Sequence, residues 1–114
     1  MTIFAAALRH TGLSTDEAAD YLSEKCERAI SAQTVRDMSS GRSKVGPGVW
    51  DALRELYFSM LQASEAALDV IDEQDPEEVT FTQASKRSSE WPSQRVHLNV
   101  LALVALQSDI VVDD

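Results

Sequence analysis

A short polar segment, residues 32–37, carries the side chains of this chain that are best suited to hydrogen-bond recognition. Gln33 presents an amide that is able to pair bidentately with adenine, and Arg36 presents a guanidinium that suits guanine or a phosphate. Ala32 and Thr34 are short, which lets the backbone approach a base edge closely. We therefore predict base contacts from this segment, made by Ala32, Gln33, Thr34, Arg36 and Asp37.

The same part of the sequence is basic, although the chain as a whole carries a formal charge of −9. Residues 25–44 hold five Lys or Arg against two acidic residues, a net charge of +3, whereas residues 61–114 hold three against eleven, a net charge of −8. Charges in water are screened over roughly 8–10 Å, so a local positive patch is able to act on an acidic chain. Scattered, solvated cations are the alternative interpretation.

Helix starts and the loops after helices are the usual places for contacts with DNA phosphates. Hydroxyl and cationic side chains occupy such places on both sides of the polar segment. The predicted phosphate-contacting residues are Thr15, Arg28, Ser31, Arg42, Ser43 and Lys44.

Other residue types that carry chemistry are sparse. No other His or Cys lies at a metal-ligand spacing from His10 or His97 in the sequence. Cys26 has no histidine nearby in the sequence, so we interpret it as a partly buried small residue or as a redox sensor. The serines of residues 84–94 fit a solvated loop, and a chain with four glycines has no phosphate-binding loop. The sequence predicts no enzyme, no metal and no cofactor.

Composition predicts a soluble globular protein. The chain has 114 residues, of which 44% are apolar and 25% are charged, and no apolar run approaches the ~18 residues of a membrane span. The first residues lack the basic start and cleavage site of a secretory signal. A single cysteine forms no internal disulfide, so we expect a cytoplasmic protein with no membrane contact.

Capping signals predict two helices at the start of the chain. Residues 2–10 place apolar side chains on one helical face, and Gly12 ends that helix. Ser14 and Glu17 form a capping box that begins helix 2. The end of helix 2 is expected between residues 22 and 26.

Two further helices are predicted before residue 73. Ser31 caps helix 3, which covers about residues 32–39 and is stopped by Gly41. Pro47 suits the first position of the next helix. Residues 49–72 predict one helix of up to about 24 residues, or two helices with a bend near Ser59.

The last third of the sequence changes character after an acidic connector at residues 73–78. Residues 79–82 and 109–114 are typical of short strands, and residues 96–106 favour a helix over a buried strand because of their length. The predicted organisation is a DNA-binding domain at residues 1–72, the connector, and a strand-helix-strand region at residues 79–114. The fold class is mainly α.

Helix 2, a turn, and helix 3 followed by Gly-Arg are the parts of a helix-turn-helix. Residues 14–22 and 30–42 resemble the lambda-repressor-like (Cro/C1-type, XRE) helix-turn-helix, and the resemblance covers roughly residues 1–60. It implies a bundle of four to five helices. Residues 23–29 exceed the usual turn, which predicts an extended helix 2, and Ser39 stands where the family usually has an acidic residue.

The order of elements is also similar to YdiL-like proteins and anti-CRISPR-associated autorepressors. The resemblance implies a C-terminal strand-helix-strand region that forms a homodimer, and a protein that represses its own operon by binding an inverted repeat. Residues 79–82, 93–106 and 110–112 would supply that region.

Dimerisation also has an argument from the residues alone. A helix that is apolar nearly all round must be buried on more than one side, and one helix with two short strands cannot enclose it. A monomer whose long helix folds back is the alternative. The predicted subunit interface consists of Phe81, Trp91, Val96, Val100, Leu103, Val104, Ile110 and Val112.

The sequence thus predicts a homodimeric regulator that binds double-stranded DNA and acts as a repressor. The alternative is an antitoxin-like or other protein-binding module whose acidic C-terminal half engages a basic partner. A third interpretation is a structural protein without a DNA role.

Overall fold

A computed structural model describes residues 2–74, 78–80, 91–107 and 111–113. The described elements are, in order, α1 (Ile3–Thr11), α2 (Thr15–Cys26), α3 (Ala32–Ser40), α4 (Pro47–Gln74), β1 (Glu78–Thr80), α5 (Gln94–Gln107) and β2 (Val111–Asp113). The predicted mainly α fold class is confirmed. The chain forms two compact units, residues 1–57 and residues 58–114.

The first two helices begin at N-caps, and the sequence predicted the second of these, at Ser14. Thr2 accepts the Ala5 N–H at 3.0 Å at the start of α1, and Gly12 ends the helix with a left-handed φ of 87°. The capping box of α2 is present, because Ser14 accepts the Glu17 N–H at 3.2 Å while the Glu17 carboxylate accepts the Ser14 N–H at 2.9 Å. Helix α2 continues to Cys26, as the long stretch after Leu22 predicts.

The first unit is held together by a core that draws on all four of its helices. Phe4, Leu22, Val35 and Val49 have at most 2% of their surface exposed. Ala18 and Ala19 are also buried, and their small side chains let α3 pack closely on α2. The Phe4 ring meets the Trp50 ring edge-on, with ring centres 5.9 Å apart.

Residues 47–74 form a single helix, which decides between the two interpretations of this stretch. Helix α4 has 28 residues and a length of roughly 42 Å, with Pro47 at its first position. The two compact units divide between Tyr57 and Phe58, inside this helix. The sequence placed its boundary at residues 72–73 because the apolar pattern ends there.

In the second unit, residues 94–107 are helical, so the helix interpretation of this segment is confirmed over the strand. Ser93, fully buried, caps α5 by accepting the Val96 N–H at 3.1 Å. Strands β1 and β2 pair in parallel, with Glu78, Val79 and Thr80 opposite Val111, Val112 and Asp113. Each strand has three residues, so the fold remains mainly helical.

The residues predicted for the subunit interface differ in burial. Val96, Val100 and Val104 are at most 6% exposed, because the chain itself covers them. Trp91 and Leu103 are partly exposed. Phe81 and Ile110, together with the side chain of Val112, lie outside the described residues.

Candidate nucleic-acid interface

Helix α3 has one buried face and one open face. Val35 is fully buried and Met38 is 4% exposed, and these two side chains anchor the back of the helix. Gln33, Thr34 and Arg36 are exposed, while Ala32 and Asp37 are half-buried. All five residues predicted to contact bases lie on α3. The three exposed ones, Gln33, Thr34 and Arg36, form its open face.

A serine hydroxyl fixes the first turn of this helix. Ser31 accepts the Thr34 N–H at 3.1 Å, and its Oγ lies 3.0 Å from the Thr34 hydroxyl oxygen. The cap satisfies one of the N–H groups that a helix start leaves without a helical partner. Ser31 is itself exposed, so its hydroxyl is at the surface beside the polar face of α3.

The polar side chains of α3 are bonded to one another. The Gln33 Nε2 group donates to Asp37 Oδ1 at 3.0 Å. The Gln33 Oε1 atom accepts from Arg36 Nε and from its second terminal nitrogen, each at 3.4 Å. The Gln33 amide is therefore held between a carboxylate on one side and a guanidinium on the other.

Most of the bonds that attach the loop after α3 to the helix are made to one carbonyl. The Asp37 carbonyl oxygen accepts the Arg42 N–H at 2.9 Å, the Ser43 N–H at 3.2 Å and the Ser40 hydroxyl at 3.1 Å. Gly41 makes this return possible with a left-handed φ of 86°. The predicted phosphate contacts Arg42, Ser43 and Lys44 are exposed in this loop, whose backbone is bonded to α3.

Two of the cations in the basic segment have acidic neighbours. The Arg42 guanidinium lies 4.0 Å from Asp37 Oδ1, and the Lys25 ammonium lies 3.8 Å from Glu55 Oε1. Lys25 also lies over the Tyr21 ring, 5.9 Å from its centre. The net charge of +3 counted along residues 25–44 therefore overstates the local positive charge, because Glu55 belongs to α4.

Tyr21 connects α2 to α4. Its hydroxyl donates to the Ala52 carbonyl oxygen at 3.3 Å. Burial, followed by the carboxylates of Glu55 and Glu24, raises the pKa of Tyr21 from 10.0 to about 12. The phenol is therefore a neutral hydrogen-bond donor in the folded chain at all ordinary pH values.

One side chain closes the turn between α2 and α3. The Ser23 Oγ accepts the Ile30 N–H at 2.9 Å, and it lies 2.6 Å from the Ala19 carbonyl oxygen and 3.0 Å from the Ile30 carbonyl oxygen. Glu27 ends α2 with a left-handed φ of 53°. This hydroxyl fixes where α3 begins relative to α2.

The two remaining predicted phosphate contacts lie outside α3 and its loop. Thr15 is the first residue of α2 and is half-buried, and Arg28 is exposed in the turn that Ser23 closes. The sequence did not identify Ser23, Tyr21 or Thr2, whose hydroxyl donates to the Ser39 carbonyl oxygen at 2.7 Å. For Ser23 a signal exists, because serine within a helix often bonds the carbonyl four residues before it.

The first unit also has an open cavity of about 390 Å³, lined by Ala7, His10, Thr11, Trp50, Leu53, Arg54 and Tyr57. It shares no lining residue with α3 or its loop. Within the described ranges, His, Cys, Asp and Glu side chains form no group of three or more able to hold a metal ion. In the same part of the chain, no helix combines the length and the apolar character needed to cross a membrane.

Comparison of the chain with protein-family models, with curated proteins and with solved structures gives no match. A functional assignment therefore depends on the residues of α3 and their surroundings.

Proposed function

We propose that this protein is a sequence-specific regulator that binds double-stranded DNA through α3, and that it acts as a homodimeric repressor at an inverted repeat. One observation carries the proposal. The open face of α3 displays Gln33, Thr34 and Arg36, while its opposite face is anchored by Val35 and Met38.

Helix geometry supports this use of α3. The major groove of B-DNA, about 12 Å wide, admits an α-helix, and base edges there are read by amide and guanidinium groups. The exposed cations of the following loop lie where phosphates flank a groove-bound helix. The order α2, turn, α3 corresponds to a helix-turn-helix of the lambda-repressor-like kind, in which the second helix enters the groove.

The second unit supplies the proposed dimerisation region, a strand-helix-strand segment made by β1, α5 and β2. Helix α5 leaves Leu98 43% and Leu106 83% exposed, and a second copy would cover such apolar side chains. A two-fold dimer would present two copies of α3 to half-sites about 34 Å apart, one turn of DNA.

The direct test starts from a pool of random DNA duplexes. The wild-type protein is expected to enrich duplexes with one conserved pattern repeated in inverted order, read by sequencing the bound fraction. Sedimentation equilibrium should give the mass of two chains. If repeated rounds at low salt enrich no pattern, the proposed function is wrong.

Two substitutions separate base reading from phosphate contact. Arg36→Ala should weaken binding to the enriched duplex by about 1–3 kcal/mol, with a much smaller effect on random DNA, because a bidentate base contact is lost. Lys44→Ala should weaken both duplexes similarly and reduce the slope of log affinity against log salt by about one. Fluorescence anisotropy titrations over a series of salt concentrations measure both.

Arg54→Ala is the matched control, because Arg54 is an exposed arginine of the same unit that pairs with Asp51 on α4. It should leave the ratio of enriched to random affinity unchanged. Equal losses on both duplexes for Arg36→Ala would remove Arg36 from base reading.

A further inference from the structure

We infer that Asp37 is a positioning residue that fixes the Gln33 amide for reading adenine, rather than a residue that contacts a base itself. The inference rests on the proposed function, because it assigns a base preference to the open face of α3. It is carried by the three-residue network of Gln33, Arg36 and Asp37.

The charges on either side of Gln33 favour one orientation of its amide. The Nε2 group lies 3.0 Å from the Asp37 carboxylate, and the Oε1 atom lies 3.4 Å from two nitrogens of Arg36. A reversed amide would place an oxygen against the carboxylate and an NH₂ group against the guanidinium. Both of those contacts are repulsive, since a carboxylate only accepts and a guanidinium only donates hydrogen bonds.

An amide held in this way still has one free N–H hydrogen and one free oxygen lone pair with which to bind DNA. The Nε2 group has two hydrogens and the Oε1 atom has two lone pairs, and the network uses part of each. Adenine offers an acceptor at N7 and a donor at N6 in the major groove, whereas guanine offers two acceptors. The fixed amide therefore matches adenine and leaves one group unsatisfied against guanine.

Asp37 is suited to positioning because its Oδ1 atom already faces two side chains of the chain itself. Its side chain is only 30% exposed, and the same Oδ1 atom faces Gln33 and Arg42. The backbone bonds that hold the loop use the carbonyl oxygen of Asp37, not its carboxylate. A substitution of the Asp37 side chain therefore frees the Gln33 amide to rotate and leaves these backbone bonds in place.

The experiment first finds the base that Gln33 reads. Enrichment with the wild type and with Gln33→Ala identifies the position of the duplex at which the preference for one base disappears. That base is expected to be adenine. Duplexes with adenine and with guanine at this position are then titrated against the wild type and the Asp37 variants.

Asp37→Asn should lower the ratio of adenine to guanine affinity by about fivefold or more, since an asparagine amide accepts either orientation of Gln33. Its affinity for random DNA should rise, because one negative charge is removed. Asp37→Glu keeps the carboxylate and should retain most of the discrimination. Asp51→Asn, which removes an exposed carboxylate paired with Arg54 on α4, should leave the ratio unchanged.

The free protein gives a second readout that does not depend on DNA. In ¹⁵N-resolved NMR spectra, the two side-chain amide protons of Gln33 should be well separated in the wild type and in Asp37→Glu, and should move together in Asp37→Asn. Backbone signals of Arg42 and Ser43 report whether the fold is retained.

The possible failures are distinguishable. If the wild type enriches no DNA, the proposed function and this inference both fail. If the wild type enriches a pattern but Gln33 reads a base other than adenine, or Asp37→Asn keeps the adenine preference, the inference alone fails. Unchanged Gln33 amide signals in Asp37→Asn would also overturn it.

Discussion

Helices α3 and α5 begin in the same way but expose different side chains, polar ones in α3 and apolar ones in α5. In each, a serine just before the helix accepts the N–H group three residues later at 3.1 Å. Helix α3 is anchored by two buried residues and displays polar side chains, whereas α5 buries four residues and exposes leucines. The buried residues are Val35 and Met38 in α3, and Val96, His97, Val100 and Val104 in α5.

The difference shows that a local capping signal fixes where a helix begins but not what the helix does. The Ser31 hydroxyl is at the surface, beside groups that suit a polar ligand, while Ser93 is fully buried. The fraction of a helix surface that the rest of the chain buries decides whether that helix has a face left for binding.

The largest expected difference lies within α5. Val104→Ala should lower the free energy of unfolding by about 2 kcal/mol, because deleting buried methyl groups leaves a cavity at a residue that is 1% exposed. Leu106→Ala, at a residue that is 83% exposed, should change the stability of the isolated chain by less than about 0.5 kcal/mol. Urea unfolding followed by circular dichroism, at low protein concentration, measures both.

If Val104→Ala and Leu106→Ala lower the free energy of unfolding by similar amounts, then α5 does not have one buried and one exposed face. A stability loss in Leu106→Ala that grows with protein concentration would instead place that leucine in the proposed dimer contact, since association then contributes to stability.

The two caps provide a smaller and more direct comparison. Ser93→Ala should lower the free energy of unfolding by up to about 2 kcal/mol, because the Val96 N–H is buried and no water replaces the hydroxyl. Ser31→Ala should lower it by only about 0.5–1 kcal/mol, since water reaches the exposed Thr34 N–H. The same urea titrations apply.

The Ser31 variant has a further use as a functional control. Because Ser31 is a predicted phosphate contact, Ser31→Ala should also weaken binding to all duplexes. Ser93→Ala should change DNA binding only by lowering the stability of the fold. Equal stability losses at the two caps would contradict the role given to burial.

The smallest expected effect concerns Tyr21, whose hydroxyl joins α2 to α4. Burial raises the pKa of Tyr21 to about 12, so between pH 10 and 12 the unfolded chain loses the Tyr21 proton while the folded chain keeps it. The stabilisation is therefore fully present below pH 10 and is lost as the pH rises towards 12. Tyr21→Phe should reduce the fall in melting temperature over this interval.

Tyr57→Phe is the control for that measurement, because Tyr57 is a more exposed tyrosine in the same unit. Other groups that titrate in this interval affect all three proteins alike. Identical melting curves for the wild type and Tyr21→Phe across the interval would show that Tyr21 ionises as freely in the folded chain as in the unfolded chain.

The sequence predicted the helices of the first unit well, because their caps are local. Ser14, Ser31, Gly12 and Gly41 act through bonds within four or five residues, and the structure places each at the expected helix end. The division of α3 into a buried and an open face also follows from its own spacing of apolar residues. The network around Gln33 was within reach, because its members are three and four residues apart.

Other features depend on contacts between distant residues and were not predictable. The bond from Tyr21 to Ala52 and the pairing of Lys25 with Glu55 join residues about 30 positions apart. The apolar pattern of α5 indicated burial on several sides. It carries no information on whether the same chain or a partner provides the cover, and the structure shows that the chain itself covers Val96, Val100 and Val104.

The single hydroxyl of Ser23 has a consequence for how this protein can vary. The Ser23 hydroxyl closes the turn before α3 from the preceding helix, and the side chains of Glu27, Arg28 and Ala29 in that turn are exposed. Under the proposed function, substitutions that add or remove charge at Arg28 and Ala29 would alter the general attraction to a polyanion without moving the adjacent helix. The proposed DNA binding would then have a strength and a selectivity that separate substitutions adjust.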